Sequence, residues 1–159
     1  MVVAVTVGSG AVGSDVAVQA VASLYGNPFI GHPTPPAPSA QFDDGIILSG
    51  AIRRFFYNCY ILPKQNLAVL GLSPGLADVQ CWPARVLVAC GDADDLYLPG
   101  QLLINRLRAA GHPDADFVPV KRSAHAFDKR ARSDVTKTKR DEVYASVSAM
   151  IRGTDMRSE

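Results

Sequence analysis

Apolar and polar positions along the chain switch between two periods. Residues 2–7 are a short β-branched run (Val2, Val3, Val5, Thr6, Val7) and predict a strand, followed at once by Gly8-Ser9-Gly10. Between residues 11 and 25, Val12, Val16, Ala20, Val21 and Leu24 recur at helical spacing, and Gly26-Asn27 would end that helix. Residues 45–48 predict a short buried strand ending at Ser49-Gly50, and residues 51–62 are aromatic and irregular. Residues 66–77 read as loop around Ser73-Pro74-Gly75. Residues 85–90, Arg-Val-Leu-Val-Ala-Cys, are the clearest strand and end at Gly91-Asp92. A helix follows over about 99–110, with Leu102, Leu103, Leu107 and Ala110 on one side, Pro99 in its first turn and Gly111 as its cap. Residues 116–120 predict a strand whose Pro119 suits an edge or bulge. Residues 137–152 predict a closing helix with Val143, Val147, Met150 and Ile151 inward, ended by Gly153.

Strands rich in Val and Ile, spaced by helices, predict an α/β fold: a mostly parallel sheet flanked by helices. Residues 1–152 are expected to form one domain, with a loose tail at 153–159. Five prolines between 27 and 40 forbid regular pairing, so that stretch is a Pro-rich loop within the domain. The length of 159 residues, with 48% apolar and 19% charged positions, suits one globular core. The net charge of +1 argues against nucleic acid or an anionic membrane as a partner. No apolar run reaches the ~18 residues of a membrane span. The apolar start lacks the basic lead of a signal peptide, and Cys59, Cys81 and Cys90 lack disulfide or zinc spacing. Together these predict buried, reduced thiols and a cytoplasmic location.

In parallel sheets chemistry gathers at the carboxyl ends of the strands, here residues 8–13, 49–50, 91–96 and 122–127. Asp94 follows the clearest strand and His125 follows the next. A His and an Asp on neighbouring strand ends can meet as the orienting half of a nucleophile–His–acid system. The plain alternative makes Asp94 a helix cap and His125 a surface residue. The order of elements resembles the C-terminal half of the α/β-hydrolase fold, in its esterase and lipase branch related to hormone-sensitive lipase. Leu72-Ser73-Pro74, Trp82-Pro83, Gly91-Asp-Ala-Asp94-Asp-Leu96, Leu107-Arg-Ala-Ala-Gly111 and His125-Ala-Phe-Asp128 carry that resemblance across residues 2–152. It implies Asp94 as triad acid and His125 as base, with Ala126 where the family has Gly.

The nucleophile has several readings. The family's elbow is Gly-x-Ser-x-Gly on a strained turn that needs small flanking residues. The chain offers Gly8-Ser9-Gly10-Ala11-Val12-Gly13. Centring the turn on Ala11 flanks it with Ser9 and Gly13, both small, and leaves no hydroxyl. Centring it on Ser9 flanks it with Val7 and Ala11 and needs a shifted turn; Ser14 is a third option. Gly8, Gly10 and Gly13 also spell a dinucleotide fingerprint, but no acidic residue stands at 30–32, where a ribose partner would fall. No His-Gly-Gly oxyanion segment occurs. The resemblance implies a carboxylic-ester hydrolase working by Ser-His-Asp acyl transfer on a small apolar ester, with no metal and no organic cofactor. The other reading is an inactive hydrolase remnant or interaction module that self-associates through the edge strand at 2–7. Phe55, Phe56, Tyr57 and Tyr60 read as packing aromatics or as the wall of an acyl pocket. The basic run at 129–140 is interleaved with acids and reads as a solvated surface.

Overall fold

A computed structural model of the chain describes residues 2–6, 18–30, 36–61, 66–68 and 72–152. Its elements are β1 (Val2–Thr6), β2 (Val18–Leu24), α1 (Gly50–Tyr60), β3 (Arg85–Gly91), α2 (Tyr97–Ala109), β4 (Ala115–Val120) and α3 (Asp134–Arg152), with short 3₁₀ turns at Pro74–Leu76, Val79–Cys81 and Phe127–Lys129. The strands form one sheet in the order β1-β2-β3-β4. β2, β3 and β4 are parallel, and β1 is antiparallel to β2. No helix among the described residues is long and apolar enough to cross a membrane.

The unbroken apolar run of β3 explains its central place. Every residue from Val86 to Gly91 is buried, as a strand covered on both faces requires. Successive side chains leave opposite faces. Val86 and Val88 join a cluster with Leu103, Ile104 and Leu107 of α2, whereas Ala89 joins one with Leu24, Phe127 and Val143 of α3. Gly111, at φ +81°, closes α2: its N–H donates to Arg108 and the His112 N–H reaches back to Leu107. That pair of bonds satisfies carbonyls the helix end leaves open. Pro119 lies on the edge strand β4, where its missing N–H costs no ladder bond on the open side.

Several expectations are corrected. Residues 18–24 are a strand, not the end of a helix. Ala20, Ala22 and Leu24 are buried in strict alternation, and the hydrogen-bonding flank of β3 supplies what the isolated helical pattern lacks. Thr6 pairs beside Val18, so the carboxyl end of β1 lies at the opposite end of the sheet from those of the parallel strands. Residues 45–48 form no strand; only isolated bridges, Asp44 to Ser123 and Ile46 to His125, occur there, and Ile47 is exposed. The aromatic stretch is helix α1, nucleated by Ser49, whose Oγ accepts from the Ile52 N–H. On α2, Leu102 and Ala110 face solvent and Ile104 takes the inward position. Helix α3 starts earlier than the apolar spacing implies because Ser133 Oγ accepts from the Thr136 N–H. Of the three thiols only Cys90 is buried; Cys59 and Cys81 are exposed. The tail at 153–159 lies outside the described residues.

Residues 43–46 act instead as a strap along the loop after β4. Asp43 N–H donates to Arg122 O, Ala124 N–H to Asp44 O and Ile46 N–H to His125 O. The Arg122 guanidinium adds a two-pronged pair with Asp43, both contacts at 2.7 Å. The buried Asp44 carboxylate accepts from the Arg132 N–H at 2.7 Å, the Ser133 N–H at 3.1 Å and the Ser133 hydroxyl at 2.7 Å. Burial alone would raise this carboxyl, but the Thr136 and Ser133 hydroxyls and the two backbone donors outweigh it and hold it at about 2. Gly91 and Gly45 let the layers close. A Cβ on Gly91 would stand 2.1 Å from the Ser123 carbonyl oxygen, and one on Gly45, at φ +97°, would stand 2.8 Å from the Ala124 backbone.

Two outcomes are expected. Because Asp44 is depressed below its ordinary 3.8 in the fold, its stabilisation is complete above about pH 4 and lost as pH falls through about 2. Acid unfolding monitored by circular dichroism will therefore steepen in that window, and Asp44→Ala will remove the step while costing ~2–3 kcal/mol at neutral pH. Gly91→Ala will lower stability by at least ~2 kcal/mol in urea unfolding, because backbone, not a flexible side chain, opposes the new methyl.

Candidate functional site

The three parallel strands end on the same side, and their following loops converge there. The loop after β3 turns tightly, with Asp94 N–H donating to Gly91 O and Tyr97 N–H to Asp94 O. Asp94 is almost fully buried. Its Oδ1 accepts from the Leu96 N–H at 3.0 Å, and its Oδ2 lies 2.9 Å from His125 Nδ1. One carboxylate oxygen thus holds the loop and the other faces His125; α2 itself is capped at Leu96 without a side-chain bond. An ionised carboxylate only accepts, so Nδ1 carries the proton and Nε2 is the imidazole's acceptor nitrogen. The His125 side chain keeps 22% of its surface exposed against 4% for Asp94. Beneath Asp94, burial pushes the Cys90 thiol well up, and the Asp94 charge adds to it, so that group stays protonated.

Asp94 and His125 line a cavity of about 860 Å³ whose walls include Ile46, Leu48, Phe56, Tyr57, Ile61 and Leu96. The strap contributes Ile46 to that lining, and α1 contributes Phe56 and Tyr57. An ion pair from Arg53 of α1 to Asp95 ties the helix to the loop that bears Asp94. Phe55, Phe56 and Tyr57 of α1 are not core: they are 64%, 58% and 41% exposed. Phe56 and Tyr57 belong to the cavity wall, while Phe55 packs only its edge on Phe56.

A second cluster lies behind the imidazole. The Tyr25 ring, at the end of β2, sits 4.6 Å from the His125 ring, tilted by 60°. Its hydroxyl donates to Asp128 Oδ1 at 2.9 Å. The Tyr144 hydroxyl of α3 donates to Asp128 Oδ2 at 2.7 Å, and Lys129 Nζ lies 2.9 Å from the same oxygen. Burial would raise the Asp128 carboxyl, but the bonds from Tyr144, Lys129 and Tyr25 bring it below its ordinary value. Burial, then the Asp128 carboxylate, push the Tyr25 hydroxyl up. Three non-glycine residues take left-handed backbone around this site: Tyr25 (φ 45°), Arg122 (φ 53°) and Ala126 (φ 56°). Such conformations are disfavoured for residues with a Cβ and persist where the surroundings dictate them. The Ala126 value also explains why glycine is the better fit beside the histidine.

The sequence brings forward Asp94 and His125, which are hydrogen-bonded. Gly8, Ser9, Gly10, Ala11, Gly13 and Ser14 lie outside the described residues. Tyr25 and Tyr144 carry no motif of their own, and Asp128 enters the sequence reading only as the last residue of His125-Ala-Phe-Asp128. Their one available signal is position, since Tyr25 directly follows an apolar strand and Asp128 stands three residues after His125.

No family model matches the chain, and neither does any curated protein sequence. Solved structures do match. An esterase from the hyperthermophilic archaeon Pyrobaculum calidifontis is similar over 86% of this chain and 42% of its own, at 22% identity and a TM-score of 0.66. Carboxyl esterase 2 of the mycorrhizal fungus Tuber melanosporum is similar over 84% of this chain and 45% of its own, at 17% identity and a TM-score of 0.58. The chain thus spans less than half the length of the esterases it matches. Its three parallel strands with their helices, laid over those enzymes, identify it as a partial α/β-hydrolase fold.

Proposed function

We propose that the chain carries the acid and base of a carboxylic-ester hydrolase. The observation that carries this reading is the pairing of buried Asp94 with partly exposed His125 on the wall of an apolar cavity. A buried carboxylate facing one imidazole nitrogen fixes the tautomer and stabilises the imidazolium that forms when the other nitrogen takes a proton. In the proposed reaction the attacking hydroxyl oxygen bonds the ester's carbonyl carbon, the ester C–O bond breaks, and His125 Nε2 takes the hydroxyl proton and passes it to the leaving alcohol. Water then attacks the acyl carbon, giving a proton to His125 as the bond to the hydroxyl oxygen breaks, and His125 returns that proton to the oxygen, which releases the carboxylic acid and restores the hydroxyl. Asp94 stays ionised throughout. The apolar walls suit an ester with an apolar acyl group, because burying hydrocarbon there yields ~25 cal/mol per Å². The esterase neighbours support the same class of reaction. The hydroxyl is assigned to Ser9, and the variants below test that assignment separately.

The experiment is turnover of a short-chain chromogenic ester by the pure protein and by Ser9→Ala, Asp94→Asn and His125→Ala. The wild type is expected to exceed His125→Ala by at least ~10³-fold, with Asp94→Asn strongly impaired. Equal loss in Ser9→Ala supports Ser9 as nucleophile; full activity in that variant removes it. A wild type no faster than His125→Ala overturns the reading.

A further inference from the structure

Tyr25 is the feature of this site that neither the cavity nor the Asp94–His125 pair explains. It is bulky, nearly buried, and held at φ 45°, a conformation that costs free energy for a residue with a Cβ. The loop it begins could relax that strain by turning the side chain away. Three contacts prevent it. The Tyr25 N–H donates to Ala89 O at 2.8 Å, and the ring meets the edge of Phe127 at 6.1 Å. The hydroxyl is bound to Asp128, which is anchored in turn by Tyr144 of α3 and by Lys129. The result is a ring held 4.6 Å from the imidazole of His125.

We propose that Tyr25 is a positioning residue for His125, with Asp128 as the anchor that fixes the Tyr25 ring against the imidazole. This inference rests on the reading of His125 as the base. His125 has one side-chain hydrogen bond among those described, to Asp94. A single bond defines a distance and still lets the ring tilt about its own axis. The tilted Tyr25 ring packed against the imidazole opposes that motion, within the 4.5–7 Å range at which aromatic pairs attract. The groups around the imidazole come from several elements: Asp94 from the loop after β3, Tyr25 from the residue after β2, and Asp128, Lys129 and Tyr144 behind Tyr25. Asp128 lies on the same 3₁₀ turn that follows His125. The anchor and the imidazole therefore move together, and β2 and α3 clamp both.

The test reads the His125 Nδ1 proton in protein labelled with ¹⁵N in its histidine rings. Bound to Asp94, that proton gives a downfield resonance that exchanges slowly with water. In Tyr25→Leu its exchange is expected to quicken by about two- to tenfold, the factor that ~0.5–1.5 kcal/mol of aromatic contact represents. Tyr25→Phe keeps the ring and loses the anchor, so it should recover part of that loss, and Asp128→Asn should match Tyr25→Phe. In ester turnover the same variants should lower kcat and leave KM within about twofold, since Tyr25 does not line the cavity. An unchanged Nδ1 proton in folded Tyr25→Leu overturns the inference. Should that variant fail to fold, an unchanged proton in both Tyr25→Phe and Asp128→Asn overturns it. Absence of the resonance in the wild type contradicts the Asp94–His125 pair itself. The two readings therefore fail on different results.

Discussion

The constraint on which the rest of the structure depends is the tether of Asp44. One buried carboxylate collects donors from the residues that start α3, while its own backbone carbonyl accepts from Ala124 in the loop that carries His125. A loop after a strand normally has freedom to spare. Here the strap at 43–46 runs along it and bonds at three successive points, so the histidine loop behaves as the edge of a layer. The energetic logic is that of any buried ion: removing it from water is costly, and only a full set of donors repays that cost. Asp44 has that set, and its depressed titration is the sign of it.

Placing the loop places the chemistry. Gly91 admits the Ser123 carbonyl against β3 at a distance no side chain would tolerate. That approach brings the loops after β3 and β4 into register, and Asp94 and His125 meet as a consequence. The same strap then turns Ile46 and Leu48 into the wall of the cavity beside them. Support, site and lining are therefore one continuous piece of chain. Left-handed backbone at Tyr25, Arg122 and Ala126 concentrates the strain of this arrangement at the three places where chain enters or leaves the site.

How much of this was legible depended on the range of the interactions. β3, α2, β4 and most of α3 are visible in the sequence because their apolar periods and end signals are local: the run to Cys90, Gly111 after α2, Pro119 on an edge. Asp94 and His125 are visible because strand ends are where a parallel sheet gathers its polar groups. Residues 18–24 mislead because small apolar residues satisfy both periods, and only the flank of β3 decides between them. The strap misleads for a related reason. Ile46 and Leu48 look like a buried strand, but the hydrogen-bonding partner of Ile46 is a loop nearly eighty residues away in sequence. Tyr25, Asp128 and Tyr144 form a site only after β2, the 3₁₀ turn and α3 have packed, and no spacing along the chain shows that they will meet.

The most direct measurement is amide hydrogen exchange at the strap in the wild type and in Asp44→Ala. If the tether holds the histidine loop, Ala93, Ala124 and Ile46, whose N–H groups bond to Ser123, Asp44 and His125, will be protected in the wild type. They will lose protection together in the variant, while Val88 and Ala89 in the middle of β3 keep theirs. Undiminished protection at Ala124 and Ile46 in a folded Asp44→Ala protein would contradict the account, because the loop would then be held by something other than the Asp44 carboxylate.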